Sequence, residues 1–335
     1  GSGPGHLSIF GYDPLKYEIG RGVLEALGIG MELGPCDLSS RGNFCTMDLS
    51  GVVTDRRAGR ISTDVNEQIC VKLQETIREI DGVEIIVRPG KEHRFVVVFR
   101  GDGLAGPLTD TDPQKVGLKS LPAEPVSPDG QRAADIVNTF MNLAREVLAA
   151  EHPANACLLR GIAKVPDIPS MSMLFKLNPA AIATYPMYRG LARLVGMDIL
   201  ETGETVADEL TTLEEHYNNH DFFYVHVKKT DSYGEDGNFE KKVKVIEEVD
   251  TLLPRLLKLN PDVLAVTGDH STPCTLKGHS WHPIPYLLKA DTIRLDPGNR
   301  YTEDQCRTGA LGWFLAKESM SLMMGHALKF NKYGA

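Results

Sequence analysis

Two groups of polar residues have the side-chain types that bind divalent metals, and each follows a segment predicted to be a strand. Asp269 and His270 follow the apolar segment 262–267, and His279 comes nine residues after His270. Asp231 and Glu235 lie four residues apart after the apolar segment 222–227. Either group alone is also typical of an ordinary turn. Because ligands gather at the carboxyl ends of parallel strands, the two groups together predict one metal site.

The elements that must position these groups follow from hydrophobic spacing. Segments 222–227 and 262–267 predict strands, and the residues between them have helical spacing, which favours a right-handed crossover in a parallel sheet. Upstream, segments 83–87 and 95–99 predict two strands joined by a turn, with helical spacing over 65–80 and 136–147. The sequence therefore predicts an α/β region with a separate α+β unit before it.

Composition limits the classes of function. The chain has 335 residues, enough for about two domains, and its formal net charge of -9 excludes a broad basic surface for nucleic acid. The longest uninterrupted apolar run, 95–99, is far shorter than the roughly 20 residues of a membrane-spanning helix. The six cysteines have no CxxC pair and no disulfide-like spacing, which favours a reducing cytoplasm.

Four strings identify a resemblance to a known family. The chain resembles the cofactor-independent phosphoglycerate mutases of the archaeal type, in the alkaline phosphatase superfamily, over essentially its whole length and most clearly at HLSIFGYDP (6–14), DRRAGR (55–60), EKKV (240–243) and DHSTP (269–273). The resemblance implies an alkaline-phosphatase-like core with a mostly parallel sheet flanked by helices, formed by 1–30 and 169–335. It also implies an inserted α+β lid domain, 31–168, that binds substrate.

The resemblance further implies the interconversion of 3-phosphoglycerate and 2-phosphoglycerate through a phosphoserine at Ser2, with two divalent metal ions. Asp269 and His270 match ligands of the metal that holds Ser2, and Asp231 and His279 match ligands of the other metal. Glu235 stands where many relatives have histidine. A carboxylate there favours Mn²⁺, with Mg²⁺, Co²⁺ or Zn²⁺ as alternatives.

A phosphorylated substrate needs cationic side chains, and arginine binds phosphate and carboxylate bidentately. The candidates for substrate binding are His6, Arg56, Arg57, Arg60, Arg100, Arg160, Arg189 and Lys228. Asp110 and Asp112 are candidates for the acid or base that moves a proton to the glycerate, or for turn residues before Pro113. The expected partner is a small phosphorylated substrate, not a nucleic acid or a membrane.

One departure from the family leaves rival hypotheses open. Relatives begin with a hydrophobic strand ending in Asp-Gly, whose Asp is a metal ligand, and this sequence starts after that strand. The alternatives to a mutase are therefore a metal-dependent phosphomonoesterase, another phosphomutase of the same superfamily, or a truncated homologue without catalytic activity.

Overall fold

A computed structural model describes residues 1–331, which form two compact units. Unit 1 consists of Gly1–Tyr17 and the chain from Pro169 onward, and unit 2 is Glu18–Ile168. Each is a mixture of helices and strands, as an α/β class requires. No helix in the described part of the chain combines the length and the apolar character needed to cross a membrane.

Unit 2 is built on one antiparallel sheet of six strands. The order is β2-β1-β5-β4-β3, with β6 also paired to β1. Its strands are β1 (Asp37–Met47), β2 (Val53–Asp55), β3 (Glu79–Ile80), β4 (Val83–Pro89), β5 (Arg94–Arg100) and β6 (Ala156–Lys164). Its helices are α2 (Arg21–Gly28), α3 (Thr63–Thr76) and α4 (Gln131–Leu148). The predicted strand pair and both predicted helices are confirmed.

Both faces of strand β5 are covered. Phe95, Val97 and Phe99 pack in the core formed with α3 and α4. Val96 and Val98 point to the other face, where they pack with Ala26 of α2. This double cover explains the uninterrupted apolar run, because a strand buried on both faces has no polar alternation.

Helix α2 lies within unit 2, so the first boundary falls after Tyr17 rather than after residue 30 as predicted. The reason is a close approach of the helix to the sheet. A Cβ atom on Gly22 would lie 2.4 Å from both the Ser39 carbonyl oxygen and the Ser40 Cα. Only glycine permits this packing, and it attaches residues 21–28 to strand β1.

Unit 1 contains two sheets. Strands β7 (Pro179–Ala183), β8 (Asp198–Leu200) and β9 (Phe222–His226) form a parallel sheet in the order β8-β7-β9. Strands β10 (Val263–Thr267) and β11 (Tyr286–Ala290) form an antiparallel pair. The helices are α1 (Ser2–Ile9), α5 (Met171–Phe175), α6 (Pro186–Leu194), α7 (Val206–His216), α8 (Lys229–Glu235), α9 (Phe239–Lys258), α10 (Glu303–Arg307) and α11 (Ser319–His326).

The prediction that segments 222–227 and 262–267 are joined by a crossover in one parallel sheet is wrong. Both segments are strands, but β9 pairs in parallel with β7 and β10 pairs antiparallel with β11. Strand β7 occupies the position beside β9 because its short apolar side chains are buried along its whole length. A hydrophobic segment of five residues gives no period that identifies it as a central strand.

Candidate active site

Helix α1 places Ser2 and His6 beside the loop that follows β10. A Cβ atom on Gly5 would lie 2.5 Å from the Asp269 carbonyl oxygen, so glycine lets the helix contact this loop directly. The Ser2 Oγ lies 2.9 Å from the Nε2 of His270. The Nδ1 of His6 donates to the Ser2 carbonyl oxygen at 2.8 Å and lies 3.2 Å from the Oδ2 of Asp269. Ser2, Asp269 and His270 therefore meet at one point.

The hydrogen bonds around His270 fix its proton. The Thr272 hydroxyl donates to the Oδ1 of Asp231 at 2.6 Å, so at its 3.1 Å contact with the Nδ1 of His270 it accepts. The proton of a neutral His270 ring is then on Nδ1, and Nε2 accepts from the Ser2 hydroxyl. Burial is the main cause of the lowered pKa of His270, which keeps the ring neutral.

This arrangement leaves lone pairs facing one another. The Asp269 Oδ2 is 3.1 Å from the His270 Nε2, and in the described part of the chain it is buried without a hydrogen bond. Burial opposes ionisation of Asp269, but the neighbouring His6 ring outweighs it and holds the pKa of this carboxyl well below the ordinary range. An ionised carboxylate oxygen, an imidazole lone pair and a hydroxyl oxygen that converge are suited to a cation.

A second group of possible ligands lies beside the first. Ligand atoms of Asp231, His270 and His279 all lie within 4.8 Å of one another. The Nε2 of His279 is 3.5 Å from the Asp231 Oδ1 and 3.5 Å from the Glu235 Oε1. The rings of His270 and His279 stack with centroids 3.6 Å apart. His270 thus belongs to both groups, whereas the sequence placed it only with Ser2 and Asp269.

Two backbone contacts hold this second group in place. The Ser280 N–H donates to the Ser271 carbonyl oxygen at 2.9 Å, which folds the loop so that His279 lies over His270. A Cβ atom on Gly234 would lie 2.3 Å from the Thr272 carbonyl oxygen. Glycine at this position lets α8, which contains Asp231, pack directly on the loop after His270.

Lys228 pairs with one of these carboxylates. Its Nζ donates to the Asp231 Oδ2 and lies 5.7 and 5.8 Å from the centroids of the Tyr185 and Tyr188 rings. Burial disfavours the ammonium, but the hydrogen bond to Asp231 outweighs it and raises the Lys228 pKa. Burial also opposes ionisation of Asp231, and hydrogen bonds from Lys228 and Thr272 lower its pKa. Both groups are therefore charged at neutral pH.

Aromatic side chains form the inner wall. The His6 ring lies 4.8 Å from the Tyr188 ring and 5.3 Å from the His226 ring, centroid to centroid. Burial, together with the neighbouring His6 ring, lowers the pKa of His226 to about 3, so this histidine is neutral. The hydroxyl of Tyr224, whose ring contacts His6, is buried without a partner in the described residues. This wall packs around the His6 ring, on the side of Ser2 and Asp269.

The predicted site residues of unit 2 form a network of arginines and aspartates. The guanidinium of Arg56 donates to both Asp112 oxygens, at 2.9 and 2.6 Å. The Nε of Arg160 lies 3.3 Å from Asp110 and 3.8 Å from Asp112. Burial opposes ionisation of Asp112, but the hydrogen bond from Arg56 outweighs it and lowers the Asp112 pKa. A carboxylate held ionised in this way is suited to positioning arginines more than to exchanging protons.

The remaining arginines have other surroundings. Arg57 and Arg60 are exposed on a turn whose backbone N–H groups, at residues 57 and 59, donate to the Asp55 carboxylate. Arg100 is bound bidentately to Asp37, its cross-strand partner. Arg189 of unit 1 is paired with Glu201. The guanidinium groups of Arg100 and Arg189 are therefore already paired with carboxylates of their own unit.

The chain is similar to known proteins of one family. A model of the family "2,3-bisphosphoglycerate-independent phosphoglycerate mutase" matches residues 1–155. A Thermotoga maritima protein named "Probable 2,3-bisphosphoglycerate-independent phosphoglycerate mutase" is 54% identical over 335 residues, which cover 100% of this chain and 83% of that protein. The chain belongs to this family. It is therefore an isomerase that acts on a small phosphorylated substrate.

Solved structures agree with membership of this mutase family. A cofactor-independent phosphoglycerate mutase from Thermoplasma acidophilum aligns with a TM-score of 0.73 at 30% identity, over 96% of this chain and 85% of that one. A protein from Pyrococcus horikoshii aligns with a TM-score of 0.84 at 26% identity, over 100% of this chain and 85% of that one.

The structure brings together most of the residues singled out in the sequence. They form two separate groups, one within each unit. The unit 1 group contains Ser2, His6, Lys228, Asp231, Glu235, Asp269, His270 and His279, and the unit 2 group contains Arg56, Asp110, Asp112 and Arg160. Sequence reasoning missed Thr272, Tyr188 and His226. Thr272 lies inside the DHSTP string, which could have identified it. The aromatic wall had no such signal, because its residues lie on separate elements.

Proposed function

We propose that the mutase reaction of this chain interconverts 3-phosphoglycerate and 2-phosphoglycerate through a phosphoserine at Ser2. The observation that carries the proposal is the 2.9 Å hydrogen bond between the Ser2 Oγ and the unprotonated Nε2 of His270, in a group with Asp269. A serine whose hydroxyl donates to a neutral imidazole has its lone pairs available for attack.

The side chains fit two divalent cations. Ser2, Asp269 and His270 would hold one, and Asp231, His279 and Glu235 would hold the other. The fit rests on the unpartnered Oδ2 of Asp269 and on the approach of the ligand atoms of Asp231, His270 and His279. Such cations, when bound, neutralise phosphoryl oxygens and lower the pKa of a serine hydroxyl. Three carboxylates among the ligands favour Mn²⁺ or Mg²⁺ over Zn²⁺.

The reaction consists of two phosphoryl transfers. The Ser2 Oγ attacks phosphorus, the Oγ–P bond forms, the bond from phosphorus to the 3-oxygen of glycerate breaks, and that oxygen gains a proton as Ser2 loses one. The glycerate then turns, its 2-oxygen attacks the phosphorus of the phosphoserine and loses its proton, the Oγ–P bond breaks, and the Ser2 Oγ regains a proton. The buried wall of Tyr188 and His226 limits the access of water, which would otherwise hydrolyse the phosphoserine.

Unit 1 and unit 2 have separate roles in this proposal. Unit 1 corresponds to an alkaline-phosphatase-like core, and unit 2 to the inserted domain that binds phosphoglycerate as a lid. The arginine network supports the second role, because Arg56 and Arg160 are held by carboxylates in fixed positions. Asp110 and Asp112 position these arginines in this scheme.

The test is Ser2→Ala, with Ser8→Ala as the matched control on the same helix. Ser8 donates to the Pro4 carbonyl oxygen and has no contact with His270. We expect Ser2→Ala to lower mutase turnover with Mn²⁺ by about 10⁴-fold or more, as for removal of other nucleophilic serines. The measurement is the conversion of 3-phosphoglycerate followed by NMR, and Ser8→Ala should keep most of the activity.

Two outcomes would contradict the proposal. Mutase activity retained by Ser2→Ala would remove Ser2 from the mechanism. Release of free phosphate by the unaltered protein, without 2-phosphoglycerate, would favour the phosphomonoesterase alternative. Mass spectrometry of protein quenched during turnover gives independent support if the mass increases by one phosphoryl group and Ser2→Ala abolishes the increase.

A further inference from the structure

Thr272 is a buried residue of unit 1 that contacts one ligand of each proposed cation. It lies in the loop after β10, two residues beyond His270, and is 4% exposed. Its hydroxyl donates to the Oδ1 of Asp231 at 2.6 Å and lies 3.1 Å from the Nδ1 of His270. One hydroxyl therefore links α8, which contains Asp231, to the loop that contains His270.

The orientation of this hydroxyl is fixed by the rest of Thr272. The Thr272 carbonyl oxygen accepts from the Nζ of Lys242, on α9, at 2.8 Å. A Cβ atom on Gly234, on α8, would lie 2.3 Å from that carbonyl oxygen and 2.9 Å from the Thr272 methyl group. The methyl group is thus confined against α8. Because a β-branched side chain has few allowed χ1 rotamers, the hydroxyl is held towards Asp231 and His270.

The single proton of the hydroxyl decides the tautomer of His270. An ionised carboxylate only accepts, so the Thr272 proton points to Asp231. The Nδ1 of His270 must then donate at its contact with Thr272. A proton on Nε2 instead would leave two lone pairs facing each other across this 3.1 Å contact.

The other tautomer would close the cation position beside Ser2. The Oδ2 of Asp269 is 3.1 Å from the Nε2 of His270 and is buried without a hydrogen bond among the described residues. A proton on Nε2 would be donated to this carboxylate in a charge-assisted hydrogen bond. The two atoms would then be bonded to each other, and the ring would have no lone pair for a cation beside Ser2.

Thr272 is what opposes this second tautomer. Without its hydroxyl, the Nδ1 of His270 loses its acceptor, and the Oδ1 of Asp231, at 4.0 Å, is too distant to replace it. The proton would move to Nε2, where the carboxylate of Asp269 is within reach. The same loss would release the Oδ1 of Asp231 from its 2.6 Å bond.

We infer that Thr272 is a positioning residue that fixes the tautomer of His270 and the orientation of Asp231, and so prepares both cation positions with one hydroxyl. The link to cations rests on the proposed function, in which His270 and Asp231 hold different metal ions. The tautomer of His270 does not depend on that function, because it is set in the metal-free protein.

The first experiment detects the tautomer in metal-free protein at about pH 8, where an imidazole with an ordinary pKa of about 6.5 is neutral. Correlation NMR spectra of protein labelled with ¹⁵N in histidine distinguish a proton on Nδ1 from a proton on Nε2. The signals that His270→Gln removes are those of His270. Thr272→Val removes the hydroxyl with little change of shape, and Thr272→Ser keeps it.

Thr212→Val is the matched control. Thr212, on α7 of unit 1, is also buried, but its hydroxyl donates to the Glu201 carbonyl oxygen and not to a proposed ligand. We expect the unaltered protein and Thr212→Val to have the His270 proton on Nδ1. Thr272→Val should have it mainly on Nε2, and Thr272→Ser mainly on Nδ1.

Two NMR results would overturn the inference. One is a proton on Nε2 of His270 in the unaltered protein, and the other is a proton that stays on Nδ1 in Thr272→Val. If Thr272→Val does not fold, Thr272→Ala removes the hydroxyl without adding bulk, and the same two results apply to it.

The second experiment is calorimetric titration of the same metal-free proteins with Mn²⁺. We expect Thr272→Val to lower the affinity at both cation positions by about 10–100-fold, the range for loss of a group that holds a metal ligand. Thr272→Ser and Thr212→Val should bind nearly as the unaltered protein does. Unchanged affinity in Thr272→Val, a loss at one position only, or an equal loss in Thr212→Val would overturn the inference. Absence of Mn²⁺ binding by the unaltered protein would contradict the proposed function and overturn the link of Thr272 to cations, while the spectra still decide whether Thr272 sets the tautomer.

Discussion

The polar clusters of the two units have opposite charge, although both serve one anionic substrate in our proposal. The unit 1 cluster combines Asp231, Asp269 and Glu235 with imidazoles and one lysine. The unit 2 cluster has three arginines, because Arg41 is the cross-strand neighbour of Arg160, and only two aspartates, Asp110 and Asp112. A phosphomonoester dianion would be repelled by three carboxylates unless cations were bound, whereas arginines attract it directly. In our proposal unit 1 therefore acts through bound cations, and unit 2 acts through its own side chains.

Buried carboxylates show the same contrast. Asp112 is 2% exposed and bonded to Arg56, and its pKa is lowered. Glu209, on α7 of unit 1, is 3% exposed, and its Oε2 is unbonded within the described residues. Burial raises the pKa of Glu209 to about 8. The presence of a cationic partner, not the degree of burial, decides which carboxylate is charged.

Among the variants that test this difference between the units, Asp231→Asn should have the largest effect, a loss of Mn²⁺ affinity. The change removes an ionised side chain from the group with His270 and His279. Loss of a residue that only hydrogen-bonds to a metal ligand lowers metal affinity by about 10–100-fold. We therefore expect the affinity for Mn²⁺ to fall by about 100-fold or more when the carboxylate itself is lost. Calorimetric titration of the apoprotein with Mn²⁺ measures it. Asp236→Asn, an exposed carboxylate beyond α8, is the control and should bind as before. Equal affinity in both variants would contradict a metal-binding role for Asp231.

A smaller effect is expected from Arg56→Gln, which leaves the buried Asp112 without its bidentate partner. We expect the free energy of unfolding at pH 7 to fall by about 2–3 kcal/mol. Arg57→Gln changes an exposed neighbour and should alter stability by less than about 0.5 kcal/mol. Urea unfolding gives both values.

The pH dependence of Arg56→Gln provides a further check. The folded pKa of Asp112 is below its unfolded value of about 3.9, so the Arg56 pair stabilises the fold above that pH and its contribution decreases as pH falls through the folded pKa. The difference between the unaltered protein and Arg56→Gln should therefore shrink in acid. If the difference in the free energy of unfolding stayed constant from pH 7 to pH 3, the Arg56–Asp112 pair would stabilise the fold without depending on the charge of Asp112.

The sequence predicted the elements whose hydrophobic residues recur with a clear period. It also predicted the groups of possible metal ligands that follow the ends of strands. Helices α3, α4 and α9 and strands β4, β5, β9 and β10 were found in this way. Helix α1 was not predicted, because Gly3, Pro4 and Gly5 are poor helix formers and only tertiary packing on Asp269 explains Gly5. Sequence patterns identify local order, and α1 depends on contacts made far along the chain.

Pairing of charges was the least predictable feature of the site. Arg56 and Asp112 are 56 residues apart, and Arg100 and Asp37 are 63 residues apart. The densest arginine group in the sequence, 56–60, proved to contain one bonded and two exposed arginines. Arg41 lies among serine and glycine on β1, so the sequence had no sign that its Nε would be buried without a hydrogen bond to another described residue. Partners of arginine are set by sheet register, which a single sequence does not specify.

The smallest expected effect is the change in stability on replacing Glu209, the uncharged buried carboxyl of unit 1. The folded pKa of Glu209, about 8, is above its unfolded value of about 4.3, so the folded state keeps a proton that the unfolded state loses between these pH values. Stability therefore declines from pH 4.3 to 8. Glu209→Gln has no such titration, and we expect it to be more stable than the unaltered protein by about 1–2 kcal/mol at pH 5.5 and nearly equal in stability at pH 4. Glu215 is exposed on the same helix, so Glu215→Gln should have the same free energy of unfolding as the unaltered protein at both pH values. Urea unfolding at the two pH values measures the difference in stability between the two proteins. An equal difference at both pH values would mean that Glu209 is already ionised in the folded state, which would contradict the rule that a buried carboxylate without a cationic partner is uncharged.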